Sequence, residues 1–75
     1  MQVEYAILEW LWEDSSIRLN LPGNEEKLYE GSYNEVVEVM NRLGKEGWDT
    51  TTCVSGINWI LWTLKRIAGK PGGVT

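Results

Sequence analysis

The stretch Val3-Glu4-Tyr5-Ala6-Ile7-Leu8-Glu9-Trp10-Leu11-Trp12 decides how this chain is read. Its odd positions supply Val3, Tyr5, Ile7 and Leu11, and its even positions Ala6, Leu8, Trp10 and Trp12, so a strand here is apolar on both faces. Residues 57–67 repeat the pattern, with Ile57, Trp59 and Leu61 on one face and Ile60, Trp62 and Leu64 on the other. Strands apolar on both sides belong in the middle of a sheet. Only one segment of the chain has helical periodicity, and one helix covers one sheet face. The other face is expected to meet a partner, a second copy or a ligand, because a contiguous apolar patch left in water marks an interaction site.

Working outward, Glu13-Asp14-Ser15-Ser16 is a polar turn, followed by Ile17-Arg18-Leu19-Asn20-Leu21, which alternates with period two. Arg18 and Asn20 on its polar side suit a solvated edge strand. Pro22-Gly23-Asn24 ends that strand and opens a polar loop through Glu25, Glu26, Lys27 and Glu30, pinned by Leu28 and Tyr29. Ser32-Tyr33-Asn34-Glu35 has the spacing of a capping box and starts a helix. Tyr33, Val36, Val37, Met40 and Leu43 recur at helical spacing as its apolar stripe, with Glu38 four residues before Arg42 as a surface pair. Gly47 suits the left-handed position past the helix end, and Trp48 can fold back onto Leu43 as a Schellman motif requires. Gly44 is expected to bring the last helical turn close to the sheet or to end the helix early. Residues 48–54 form a threonine-rich strand, Ser55-Gly56 a hairpin turn, and 57–67 the returning strand.

The expected fold is therefore α+β, a two-layer β-β-α-β-β unit with one helix on one face of an antiparallel sheet. With the doubly apolar strands central, the four predicted strands lie in the spatial order 2-1-4-3. Residues 1–68 make a single domain, and 69–75, rich in glycine, a disordered tail.

Residues 37–48, centred on Met40-Asn41-Arg42-Leu43-Gly44-Lys45-Glu46-Gly47-Trp48-Asp49, resemble domain-of-unknown-function family 4177, a group of small bacterial and phage α+β proteins. Met40-Asn41 stands where that family has leucine-asparagine, Asp49 where it has glutamate, and Lys65-Arg66 matches its closing pair. Glu4-Tyr5 resembles its opening strand. The resemblance spans residues 2–67 and implies the fold. It carries no catalytic residues, and the phage or bacterial setting is implied by it alone.

Composition excludes several classes of function. The net charge is −4, with a pI of about 4.6 and seven scattered basic residues, which argues against a phosphate-backbone binder. With no histidine and one cysteine, Cys53, there is no support for zinc or for a Cys-His nucleophile, and Cys53 reads as a small core residue. The lone cysteine requires no oxidising compartment, no signal peptide opens the chain, and no apolar run is long enough to span a bilayer, so a cytoplasmic, non-membrane protein is expected. Glu9, Glu13 and Asp14 read as a solvated strand end, and Glu25-Glu26 as a solvated loop without the alternating oxygen ligands of a calcium site. Ser15, Ser16, Ser32 and Ser55 are turn and cap residues. No enzymatic activity and no cofactor are expected.

What remains is five tryptophans, of which Trp48 belongs to the helix cap. Tyr5, Trp10, Trp12, Trp59 and Trp62 are candidate anchors for an interface or a ligand, since tryptophan and tyrosine combine large rigid area with a polar handle. Two readings follow. The first is a module that associates with itself, as a dimer or larger, through the aromatic-rich sheet face and can engage a host protein. The second is a protein that holds a small planar, nucleotide-like ligand between aromatic faces, with Arg18, Lys65 or Arg66 near its charge. Self-association is the simpler, because a two-fold axis sets one apolar face against its own copy.

Overall fold

The computed structural model describes residues 2–67. Five strands, β1 (Val3–Leu11), β2 (Ser16–Leu21), β3 (Glu25–Glu30), β4 (Asp49–Ser55) and β5 (Trp59–Ile67), and one helix, α1 (Tyr33–Lys45), follow in the order β-β-β-α-β-β. The sheet is antiparallel throughout, with strand order β3-β2-β1-β5-β4. The chain is α+β as expected, but with one strand more than the β-β-α-β-β reading.

That extra strand is β3, in the segment read as a polar loop. Pro22-Gly23-Asn24 does not open a loop; it is the tight connection of a hairpin, with Gly23 at φ 82° and Asn24 at φ 61°. Both take left-handed backbone easily, which lets Leu21 pair with Glu25 and the ladder run on to Ser16 opposite Glu30. β2 is consequently not an edge. β3 is the edge, and its charged Glu25, Glu26, Lys27 and Glu30 discourage further pairing. Otherwise the predicted order of the four recognised strands holds, with β1 and β5 at the centre. The β4–β5 turn is also displaced: Ile57, read as strand, sits fully exposed at the tip, and the Gly56 amide donates to the Trp59 carbonyl over 2.9 Å. The proposed tail lies outside the described residues.

The core forms between α1 and one sheet face. Ala6, Leu8 and Trp10 of β1, Ile17 and Leu19 of β2 and Leu64 of β5 pack with Val36, Val39 and Leu43 of the helix and with Trp48. Met40 packs against this cluster, but Val37 and Tyr33, read as part of the stripe, are more than half exposed, and Val39 takes the buried place. Positions 36, 39, 40 and 43 give the same i, i+3, i+4, i+7 pattern rotated by a fraction of a turn.

Both helix ends follow their local chemistry. At the start, the Glu35 carboxylate accepts from the Ser32 amide over 2.7 Å and from its hydroxyl over 2.9 Å. These bonds to the ionised form hold the Glu35 carboxyl below the usual carboxylate range, the Ser32 amide contributing most. At the other end, Trp48 N–H donates to the Leu43 carbonyl and Gly47 N–H to that of Gly44, with Gly47 at φ 93°. This is the Schellman pattern, and its apolar contact is present because Leu43 and Trp48 share the core. Gly44 has no such role: nothing lies within 4 Å of where its Cβ would be, and the helix continues past it to Lys45. The expected close approach is absent. Nor do Glu38 and Arg42 pair; Arg42 lies over the Tyr29 ring, 5.6 Å from its centroid.

Candidate functional site

Because side chains alternate across a strand, burying Ala6, Leu8 and Trp10 against the helix sends Val3, Tyr5, Ile7, Glu9 and Leu11 to the opposite face. The register extends that face sideways. Leu11 pairs with Trp59, Glu9 with Leu61 and Arg18, Ile7 with Thr63 and Asn20, Tyr5 with Lys65, and Val3 with Ile67. Leu61 pairs onward with Val54, and Arg18 with Leu28. Among the described residues no element covers this side. Tyr5 is 61%, Leu28 69% and Val54 52% exposed, and Val3, Ile7 and Ile67 are each 40% or more.

Apolar residues of β1 and β5 thus form the middle of an open face, and polar pairs flank it. On the β2–β3 side Arg18 makes an ion pair with Glu26 at 3.6 Å, and on the β4–β5 side Lys65 pairs in register with Asp49. The β2–β3 flank also carries Glu30, opposite Ser16 in register, so it holds two acids and one base, and the β4–β5 flank holds one of each. An apolar centre with a polar, charge-bearing rim is the usual anatomy of a protein interface.

A second feature lies at the end of the sheet where α1 begins. A cleft of about 370 Å³ is lined by Trp10, Trp12, Tyr33 and the turn of residues 55–60, which includes Trp59. Trp10 is buried, and its indole N–H donates to the Gly31 carbonyl over 3.1 Å. The Tyr33 ring rests on it with centroids 4.6 Å apart, tilted by 34°. Trp12 continues the strand by one bond, its amide donating to the Asn58 carbonyl over 3.0 Å, while 65% of the residue remains exposed. None of the lining side chains is charged.

The candidate residues separate into four groups. Tyr5, Arg18, Lys65 and Trp59 belong to the open face by strand parity, whereas Trp10 and Trp12 line the cleft, to which the turn also brings Trp59. Trp62 lies on the helix side, paired with Leu8 and Cys53 and packed against the core. Arg66 works at the helix end: its Nε donates to Glu4 over 2.9 Å, its Nη1 to the Glu46 carbonyl over 3.3 Å, and its guanidinium covers the Trp48 ring. Arg18, Lys65 and Arg66 do not converge on the aromatic cleft. Cys53, expected in the core, is exposed, because β4 is an edge strand whose residues are all exposed, beyond the cover of α1. Sequence reading missed Leu28 and Tyr33, the first because its strand was read as loop, the second because its ring was assigned to the buried stripe.

Among the described residues no group of three or more acidic, cysteine or histidine side chains is placed to hold a metal ion, and no helix is long and apolar enough to cross a membrane. The chain matches no protein-family model, no curated protein and no solved structure.

Proposed function

We propose that this protein is a small interaction module that associates with a second copy of itself through the open face of its sheet. One observation carries the reading: a folded chain leaves Val3, Tyr5, Ile7, Leu28, Val54 and Ile67 in water on a single sheet side. Five strands about 4.8 Å apart, each about seven residues of 3.3 Å, make a footprint of about 550 Å². Two such faces bury about 1,100 Å², above the roughly 1,000 Å² a specific interface needs.

The rim carries bases, Arg18 and Lys65, and acids, Glu26, Glu30 and Asp49, so a two-fold axis that sets Arg18 or Lys65 against an acid of the other copy gives the interface its orientation. Glu9, half-buried near the centre, enters with Arg18 beside it in register. The test is light scattering on the purified chain and on Ile7→Glu and Tyr5→Glu. The native chain is expected to elute as a dimer and both variants as folded monomers. A native monomer, or variants that remain dimeric, would overturn the reading.

A further inference from the structure

We infer that the aromatic cleft at the start of α1 binds a proline-rich peptide segment in the polyproline II conformation, with a basic residue beside it. The site is built by Trp10, Trp12 and Tyr33 on the helix side of the sheet, meets the face proposed for self-association only at Trp59, and rests on separate observations.

Scattered exposed aromatics need no explanation, but here the rings converge on one cleft. Trp10 is fixed by packing and by its bond to Gly31. Tyr33 occupies the first helical position, directly after the Ser32 cap, with its ring set obliquely on Trp10. Trp12 is anchored through its backbone to Asn58. The result is a notch whose floor, Trp10 with Tyr33 resting on it, is already ordered, which reduces the ordering cost of binding.

The chemistry of the lining selects the occupant. With no cation on the walls, a phosphate or carboxylate would find no counter-charge, and Glu13 and Asp14, which follow Trp12 in the adjoining turn, would repel it. The indole N–H of Trp12, a donor only, and the Tyr33 hydroxyl make no hydrogen bond among the described residues. The complementary ligand therefore offers apolar rings and acceptors, and few donors. A proline run has those properties: its pyrrolidine rings pack on aromatic faces, it has no backbone N–H, and its carbonyls project outward. Three residues of this helix span about 9 Å, and aromatic grooves are the established physical solution for holding it. Glu13 and Asp14 favour a flanking Arg or Lys.

The probe is a synthetic peptide of eight prolines followed by two arginines, titrated into the full chain while tryptophan fluorescence is read. A saturable change is expected, weakened roughly tenfold or more by Trp12→Ala and by Tyr33→Ala. Replacing the arginines with glutamates is expected to weaken it several-fold, and replacing the prolines with alanines to abolish it. Circular dichroism checks that both exposed-residue variants remain folded. The proposal is overturned by the absence of saturable binding at millimolar peptide, by equal binding of the alanine peptide, by undiminished binding to folded Trp12→Ala, or by tighter binding of adenosine monophosphate than of the proline peptide. Ile7→Glu is expected to bind the proline peptide normally, so failure of self-association and failure of this site are read separately.

Discussion

The guanidinium of Arg66 lies over the indole of Trp48, 4.4 Å from its centroid, and joins β5 to the end of α1. The same side chain reaches Glu4 on β1 and the free Glu46 carbonyl at the helix C-terminus. A cation there complements the helix dipole, covers an aromatic ring and forms an ion pair at once. The site is about 30% exposed, so screening reduces the ion-pair part. Arg66→Ala is expected to cost about 1–2 kcal/mol in urea denaturation. Arg66→Lys should recover less than half of that loss, because an ammonium cannot stack and bond in the same plane.

The two glycines at the helix end respond oppositely to alanine. Gly44 is helical with open space around its Cβ position, so Gly44→Ala should stabilise the fold by about 0.5–1 kcal/mol. Gly47 also has space but stands at φ 93°, so Gly47→Ala should destabilise by about 1 kcal/mol or more. Thermal or urea midpoints of the two variants, measured side by side, check the sign of each.

Gly31 is tied on both sides: its amide donates to the Ser15 carbonyl over 2.7 Å and its carbonyl accepts from Trp10. A methyl group there would run into the Glu35 side chain, at a backbone φ of 148°. Gly31→Ala should therefore break the capping box and cost about 1–3 kcal/mol, read as a lowered urea midpoint with a reduced helical signal by circular dichroism.

The same cap sets a pH dependence. Glu35 titrates lower in the folded chain than in the unfolded one, so its contribution is full above the unfolded titration range and is lost as pH falls through the lowered folded value. Glu35→Gln keeps an acceptor for the Ser32 amide and cannot titrate. Between about pH 6 and about pH 3, its stability should fall less steeply than that of the native chain, as read from urea midpoints across the range. Parallel slopes would show that the carboxylate does not carry the cap.

The helix was legible because each of its ends is written in a few contiguous residues, Ser32 to Glu35 and Leu43 to Trp48. The two central strands were legible because doubly apolar alternation has few other uses. β3 was not, since Glu25-Glu26-Lys27 has poor strand propensity and is held in place by the ladder to β2; its local signal was the Pro22-Gly23-Asn24 turn, whose length and left-handed residues suit a hairpin. Val39 rather than Val37 became core because the angle at which a helix lies on a sheet selects among overlapping stripes, and that angle is a tertiary property. Cys53 was misplaced for a similar reason: alternation gives a residue's side of the sheet, but not how far across it the helix reaches. Of the candidate site, the doubly apolar strands showed that one sheet side lacks a cover, but not which one: Trp10, Trp12 and Trp62, counted among its anchors, lie on the helix side. The cleft was not legible, because it joins Tyr33 to Trp10 and Trp12 across the chain.

Sedimentation equilibrium of the full chain over about 1–100 μM tests the central claim most directly, because it weighs the species without a label or a surface. Self-association through the open face predicts a mass near twice the 8.6 kDa of one chain, falling to a single chain's mass in Ile7→Glu with the fold intact. A mass of 8.6 kDa for the native chain across the whole range would contradict it.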